Sequence, residues 1–194
     1  MRLNRKRRCE RFLSRAELER LGQVLARMRA SEDPVRSIAA TAVALLLLTG
    51  CRAGEITSLQ WQDVRGNRLK LRDSKTGPRT VWLGDEARAL IDSLPKHKKI
   101  VWLFWNWRYR KPLRDITHYW HEIRAEAGLH RVRLHDLRHT FASHAAMNKE
   151  TLPMIGRLLG HTNPQSTARY AHLDDEHVLD AAEQIGAAIE RLLA

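Results

Sequence analysis

A chain of 194 residues with 43% hydrophobic content is long enough for one domain with a sizeable core, and its net charge of +12 points to a polyanionic partner, nucleic acid or an anionic membrane surface. No run of about 18 apolar residues occurs, so no membrane span is expected, and the basic start lacks the apolar stretch of a signal peptide. Two cysteines, Cys9 and Cys51, without metal-ligand spacing fit a reducing compartment, the cytoplasm.

The charge is uneven. From Asp174 onward six acidic residues face Arg191 alone, a net of −5, which leaves +17 on the first 173 residues. The tail is therefore not expected on a phosphate backbone. Residues 1–13 are a basic segment, either a solvated terminus or a contact to a DNA backbone. Ser14-Arg-Ala-Glu17 is a capping box, and Leu18, Leu21, Val24, Leu25 and Met28 predict a helix to about Arg29. After a break, Pro34 suits the first position of a strongly apolar helix that runs to about Leu48 and forms the core. Arg52 follows it at once, an odd place for a solvated arginine. It either pairs with Glu55 or is held at a site.

From Trp61 to about Leu83 the period changes to two, with Leu69 and Leu71 alternating with Lys70 and Arg72, and Val81 and Leu83 following. This predicts two or three short antiparallel strands, with residues 73–78 as a turn that carries Lys75. Taken alone, Lys75 reads as a surface lysine. A helix is predicted over Asp85–Leu94. Val101–Tyr109 is rich in aromatics beside Arg108, Arg110 and Lys111, and reads either as a base-stacking surface or as a strand or loop packed on the core. Further helices are predicted over Pro112–Ala127, His135–His144, Leu152–Leu159 and Gln165–Tyr170. His135 and Arg138 share a helix face. His135 and His139 have an i,i+4 metal-ligand spacing, but no third ligand is evident, and no metal or cofactor is expected. Residues 174–194 form an amphipathic helix with Val178, Ala182, Ile185, Ile189 and Leu192 in one stripe.

His161 and Tyr170 lie nine positions apart in the stretch from Leu158 to Leu173. A tyrosine is a poor nucleophile at neutral pH, since only roughly a thousandth is phenolate at pH 7. Other residues must take its proton and stabilise the charge that develops.

Together the pieces resemble the catalytic domain of the tyrosine recombinase (phage integrase) family. They are Thr49-Gly-Cys-Arg52-Ala-Gly-Glu55, Ser74-Lys75-Thr-Gly77, His135-Asp-Leu-Arg138-His139, Leu158-Leu-Gly-His161 and Tyr170. One such piece is weak; five in the family's order are strong. The resemblance implies a mainly α fold with a small antiparallel β-sheet, similar to type IB topoisomerases, with residues 14–173 as the catalytic domain. It also implies cleavage and rejoining of double-stranded DNA through a 3′-phosphotyrosine, without metal or ATP. Tyr170 matches the nucleophile, and Arg52 and Arg138 the arginines on the scissile phosphate. Lys75 matches the lysine that protonates the leaving 5′-oxygen, and His135 the histidine before the second arginine. His161 matches the position that is His or Trp, and Glu55 an acidic supporting position. The chemistry fits these types: forked guanidiniums suit the equatorial oxygens of a phosphate, and an alkoxide needs a proton to leave.

The alternatives are a DNA-binding module that does not cut and a relaxing topoisomerase with the same chemistry but no strand exchange. Family members usually carry an N-terminal helical domain that clamps the DNA, and nothing here is long enough to be one. The tail helix is expected either to join protomers into a tetramer on DNA or to fold back on its own domain.

Overall fold

The computed structural model describes residues 11–72, 77–171 and 175–193, the last of these with side chains from residue 182 to 192. Helix α1 (Arg15–Arg29) starts where the capping box predicts: the Ser14 hydroxyl accepts from the Glu17 N–H, and the Glu17 carboxylate accepts from the Ser14 N–H. Helix α2 (Pro34–Thr49) is capped by Asp33 and opens on Pro34. It is buried on nearly every face, from Val35 and Ile38 to Leu45 and Leu46, and α1 packs along it.

Gly50 ends α2 in the left-handed region at φ +62°, and a Cβ there would sit 2.5 Å from Phe141 Cδ1. The sharp exit delivers Arg52 as N-cap of the short helix α3 (Ala53–Thr57). A 3₁₀ turn, Trp61–Asp63, leads into a three-stranded antiparallel sheet of β1 (Val64–Arg65), β2 (Arg68–Leu71) and β3 (Arg79–Trp82). Leu69 pairs with Val81 and Leu71 with Arg79. Helix α4 (Asp85–Asp92) follows.

The segment predicted as the start of a helix at Pro112 differs. Lys111–Pro112 is strand β5, paired with β4 (Trp105–Asn106) as a second antiparallel hairpin, and helix α5 begins only at Thr117 and ends at Glu126. The reason is tertiary: Lys111–Pro112 pairs across the hairpin with Trp105–Asn106, and Leu113 donates its N–H to Phe104 O at 2.9 Å, which holds this stretch extended. Helices α6 (Leu134–Met147), α7 (Leu152–Leu159), α8 (Gln165–Ala168) and α9 (Asp175–Leu193) complete the described chain. The large core is centred on α2. A second, smaller cluster of Ala142, Ala146, Ile155, Leu159 and Tyr170 joins α6 and α7.

Candidate functional site

The exits of α2 and α7 meet beside α6, and three arginines collect there. Arg138 is 4% exposed. Its Nη1 donates to Gly50 O at 2.7 Å, and its Nη2 to Leu159 O at 2.8 Å. Arg79 Nη1 donates to the neighbouring carbonyl, Leu158 O, at 3.1 Å. Helix C-termini carry partial negative charge, so guanidiniums settle there readily. Both arginines thus have a structural task, and Arg138 still has three of its five N–H hydrogens beyond those two bonds.

Glu55 is the carboxylate at the centre. Its Oε1 accepts from Arg52 Nη1 at 2.8 Å, and its Oε2 accepts from the Arg52 backbone N–H at 2.9 Å and from Arg79 Nη2 at 2.8 Å. Burial alone would raise its pKa, but the bonds from Arg79 and Arg52 outweigh burial and hold it below the ordinary value. The pairing of Arg52 with Glu55, one of the two alternatives in the sequence, is therefore formed, and it leaves Arg52 within the arginine cluster. Arg52, Arg79 and Arg138 face Glu55 as the one carboxylate among these contacts, so the cluster keeps excess positive charge. Burial, then the charges of Arg52 and Arg79, push the Arg138 pKa down to about 10. A polyanion would relieve that repulsion.

The histidines are held neutral. His161 is half-buried, and its Nδ1 lies 2.8 Å from Thr167 Oγ1. Burial, then Arg138 and Arg52, lower its pKa to about 4. His139 is buried and falls to about 4 through burial and then His135. His135 opens to solvent at the start of α6, its ring edge-on to His139 at 4.9 Å between centroids; partial burial and then Arg138 lower its pKa. Tyr170 is 5% exposed, with its hydroxyl 2.7 Å from His139 Nδ1.

The structure thus brings Arg52, Glu55, Arg138 and His161 around one cluster and ties Tyr170 to α6, the helix of Arg138. Lys75 lies outside the described residues. Two contributors escaped the sequence reading. In the sequence His139 figures as a metal-ligand spacing and as the end of the His135–His139 motif, with no role of its own. Arg79 was not singled out, although a signal existed: positions 79, 81 and 83 share one strand face, Val81 and Leu83 are buried apolar residues, and an arginine in that register is anomalous. Gly160 makes room for it. Its φ is +66°, and a Cβ there would lie 2.5 Å from Arg79 Cδ.

Comparison with known proteins places this geometry in a family. The chain is 34% identical over 145 residues to the integrase of Escherichia phage 186, across 74% of this chain and 40% of that protein. It is 29% identical over 143 residues to the tyrosine recombinase XerC of Chromohalobacter salexigens, across 70% of this chain and 48% of that protein. The chain therefore spans about half the length, or less, of these relatives. The solved catalytic domain of bacteriophage HP1 integrase matches with a TM-score of 0.67 and 28% identity, covering 89% of this chain and 93% of that domain. The family model "Phage integrase family" matches residues 11–177. The chain belongs to the phage integrase family, with the fold of its tyrosine recombinase catalytic domains.

Proposed function

We propose that the chain is the catalytic part of a site-specific DNA recombinase or integrase, which cleaves and rejoins double-stranded DNA through a covalent 3′-phosphotyrosine on Tyr170 and needs neither metal nor ATP. One observation carries this reading: Arg52 and Arg79 share a single carboxylate, with Arg138 close enough to feel both charges, and a tyrosine hydroxyl is held by a neutral imidazole on the helix of Arg138. An anion of the size and charge of a phosphodiester would offset the excess positive charge of this cluster.

In this mechanism Arg52 and Arg138 donate to the non-bridging oxygens of the scissile phosphate, where negative charge grows as Tyr170 attacks. Pre-aimed donors of this kind are worth on the order of 10²–10³ in rate each. The phenol proton passes to His135, directly or through the phosphate, and Lys75 protonates the leaving 5′-oxygen. The phosphorus–oxygen bond to the 5′-oxygen breaks as the bond to the tyrosine oxygen forms. His161 donates a hydrogen bond at the phosphate, and Glu55 holds Arg52 in place. The ester conserves the bond energy, so rejoining is the same reaction reversed by an incoming 5′-hydroxyl.

The tail supports assembly into a tetramer. Residues 182–192 of α9 are exposed throughout, with Ile185 at 60% and Leu192 at 86%, so the apolar stripe stands open to a neighbouring protomer. No described helix is long and apolar enough to cross a membrane, and the reading places the protein in the cytoplasm with its DNA.

The test uses nicked duplexes from a pool of randomised sequence, incubated with the chain and run on a denaturing gel. A covalent protein–DNA band is expected in EDTA. A band that forms only with added Mg²⁺ would contradict the metal-free mechanism.

A further inference from the structure

The aromatic run Val101–Tyr109 is divided by the fold. Leu103, Phe104 and Trp105 are buried, whereas Trp107 is 50% and Tyr109 64% exposed. The pair Asn106–Lys111 closes a four-residue tip. Asn106 Oδ1 accepts from the N–H groups of Arg108 at 3.0 Å and Tyr109 at 3.3 Å, and Arg110 turns the chain at φ +50°. Residues 107–111 are all exposed: two large rings and three cations. Among the described residues the side chains of Arg108, Arg110 and Lys111 form no ion pair. Rings left in water at the end of a hairpin need a reason other than packing.

One hydrogen bond links α3 to the segment that follows β5. Thr57 Oγ1, at the end of α3, donates to Arg114 O at 3.1 Å. A cleft of about 230 Å³, lined by Glu55, Ser58, Asp63, Arg72, Pro112 and Arg114 among others, runs from Glu55 to strand β5.

We propose that this tip is a second nucleic-acid contact: Arg108, Arg110 and Lys111 take backbone phosphates, and Trp107 and Tyr109 stack on bases that have left the duplex. The inference rests on the DNA reading above. Its two halves follow from charge and shape. Three cations with no acidic partner call for a polyanion. A paired base offers a side chain its edge, and only an unpaired base offers its face; breaking a strand releases such bases at the break. An apolar protein partner would suit the rings but would have to desolvate the three cations.

The experiment measures binding by fluorescence anisotropy to a labelled duplex and to the same duplex with a four-nucleotide unpaired bubble. Two variants are used, W107A/Y109A and R108A/R110A/K111A, each checked for an unchanged thermal melt. The aromatic variant should lose about tenfold or more in affinity for the bubble and less than about twofold for the duplex. The basic variant should bind both less tightly and lower the slope of log affinity against log salt by about 2 to 3. The proposal is overturned if W107A/Y109A binds both DNAs like the wild type, if it loses both equally, or if its defect lies only in protein–protein association. A wild-type chain that binds neither DNA would overturn the recombinase reading as well.

Discussion

The Tyr170 hydroxyl lies 2.7 Å from Nδ1 of His139, the residue directly after Arg138 on α6. The proposed nucleophile is thereby tied, without DNA, to the helix that carries a proposed phosphate ligand. His139 stays neutral, so its ring nitrogen and the phenol share one hydrogen between two uncharged groups. Tyr170→Phe removes one partner and leaves the buried nitrogen unpaired, which should cost about 1–2 kcal/mol of stability. A double-mutant cycle with His139→Ala, read by urea unfolding, should give a coupling of about 1 kcal/mol. Zero coupling would mean that the contact contributes nothing to docking the tyrosine.

Glu55 makes a sharper case, because it is shared. Glu55→Gln leaves Arg52 and Arg79 without a counter-charge beside Arg138 and should destabilise the fold by about 3 kcal/mol. Inorganic sulfate should rescue this variant more than the wild type, since an anion can then enter the arginine cluster. Thermal melts against sulfate concentration check it. Equal sulfate effects on both proteins would argue against an anion-seeking cluster.

The two depressed histidines set a pH dependence. His139 and His161 titrate near 4 in the folded chain against about 6.5 when unfolded. Between those values the unfolded chain binds more protons. Unfolding free energy should therefore be steady above about pH 6.5 and fall as pH drops towards 4, by at most about 1.4 kcal/mol per unit for each histidine. Partial exposure makes the His161 share smaller. Urea titrations at several pH values check the slope, and His139→Gln should flatten it by about half or more.

How legible was this in the sequence? Capping at Ser14, Pro34 at a helix start and the period-two strands around Leu69 and Val81 were readable because each depends on neighbours in the chain. The start of α5 was not: Lys111–Pro112 pairs across a hairpin with Trp105–Asn106, a tertiary choice that local helical spacing hides. In the site, Arg52 with Glu55 was accessible because they lie three positions apart. Arg79 reaches Glu55 from 24 positions away, and His139 reaches Tyr170 from 31, so neither pairing leaves a local trace. An arginine on an inward strand face, in register with buried Val81 and Leu83, is the clue the sequence does carry.

The exposed stripe of α9 gives a prediction about assembly. Deleting residues 178–194 removes Ile185, Ile189 and Leu192, which face solvent here. The deletion should leave the melting temperature of the remaining domain within a few degrees of the full chain and reduce multimers on DNA, as read by native electrophoresis or light scattering. An unchanged assembly state would assign the stripe another role.

The central claim is that the Tyr170 oxygen is the nucleophile that attacks a phosphodiester. It is tested most directly by trapping the chain on nicked DNA, digesting the adduct and locating the modified peptide by mass spectrometry. The account predicts a DNA 3′-phosphate esterified to Tyr170, with no adduct from Tyr170→Phe and almost none from Arg138→Ala, which should still bind long DNA. A normal yield of adduct from Tyr170→Phe, or a nucleotide attached to a different residue, would contradict it.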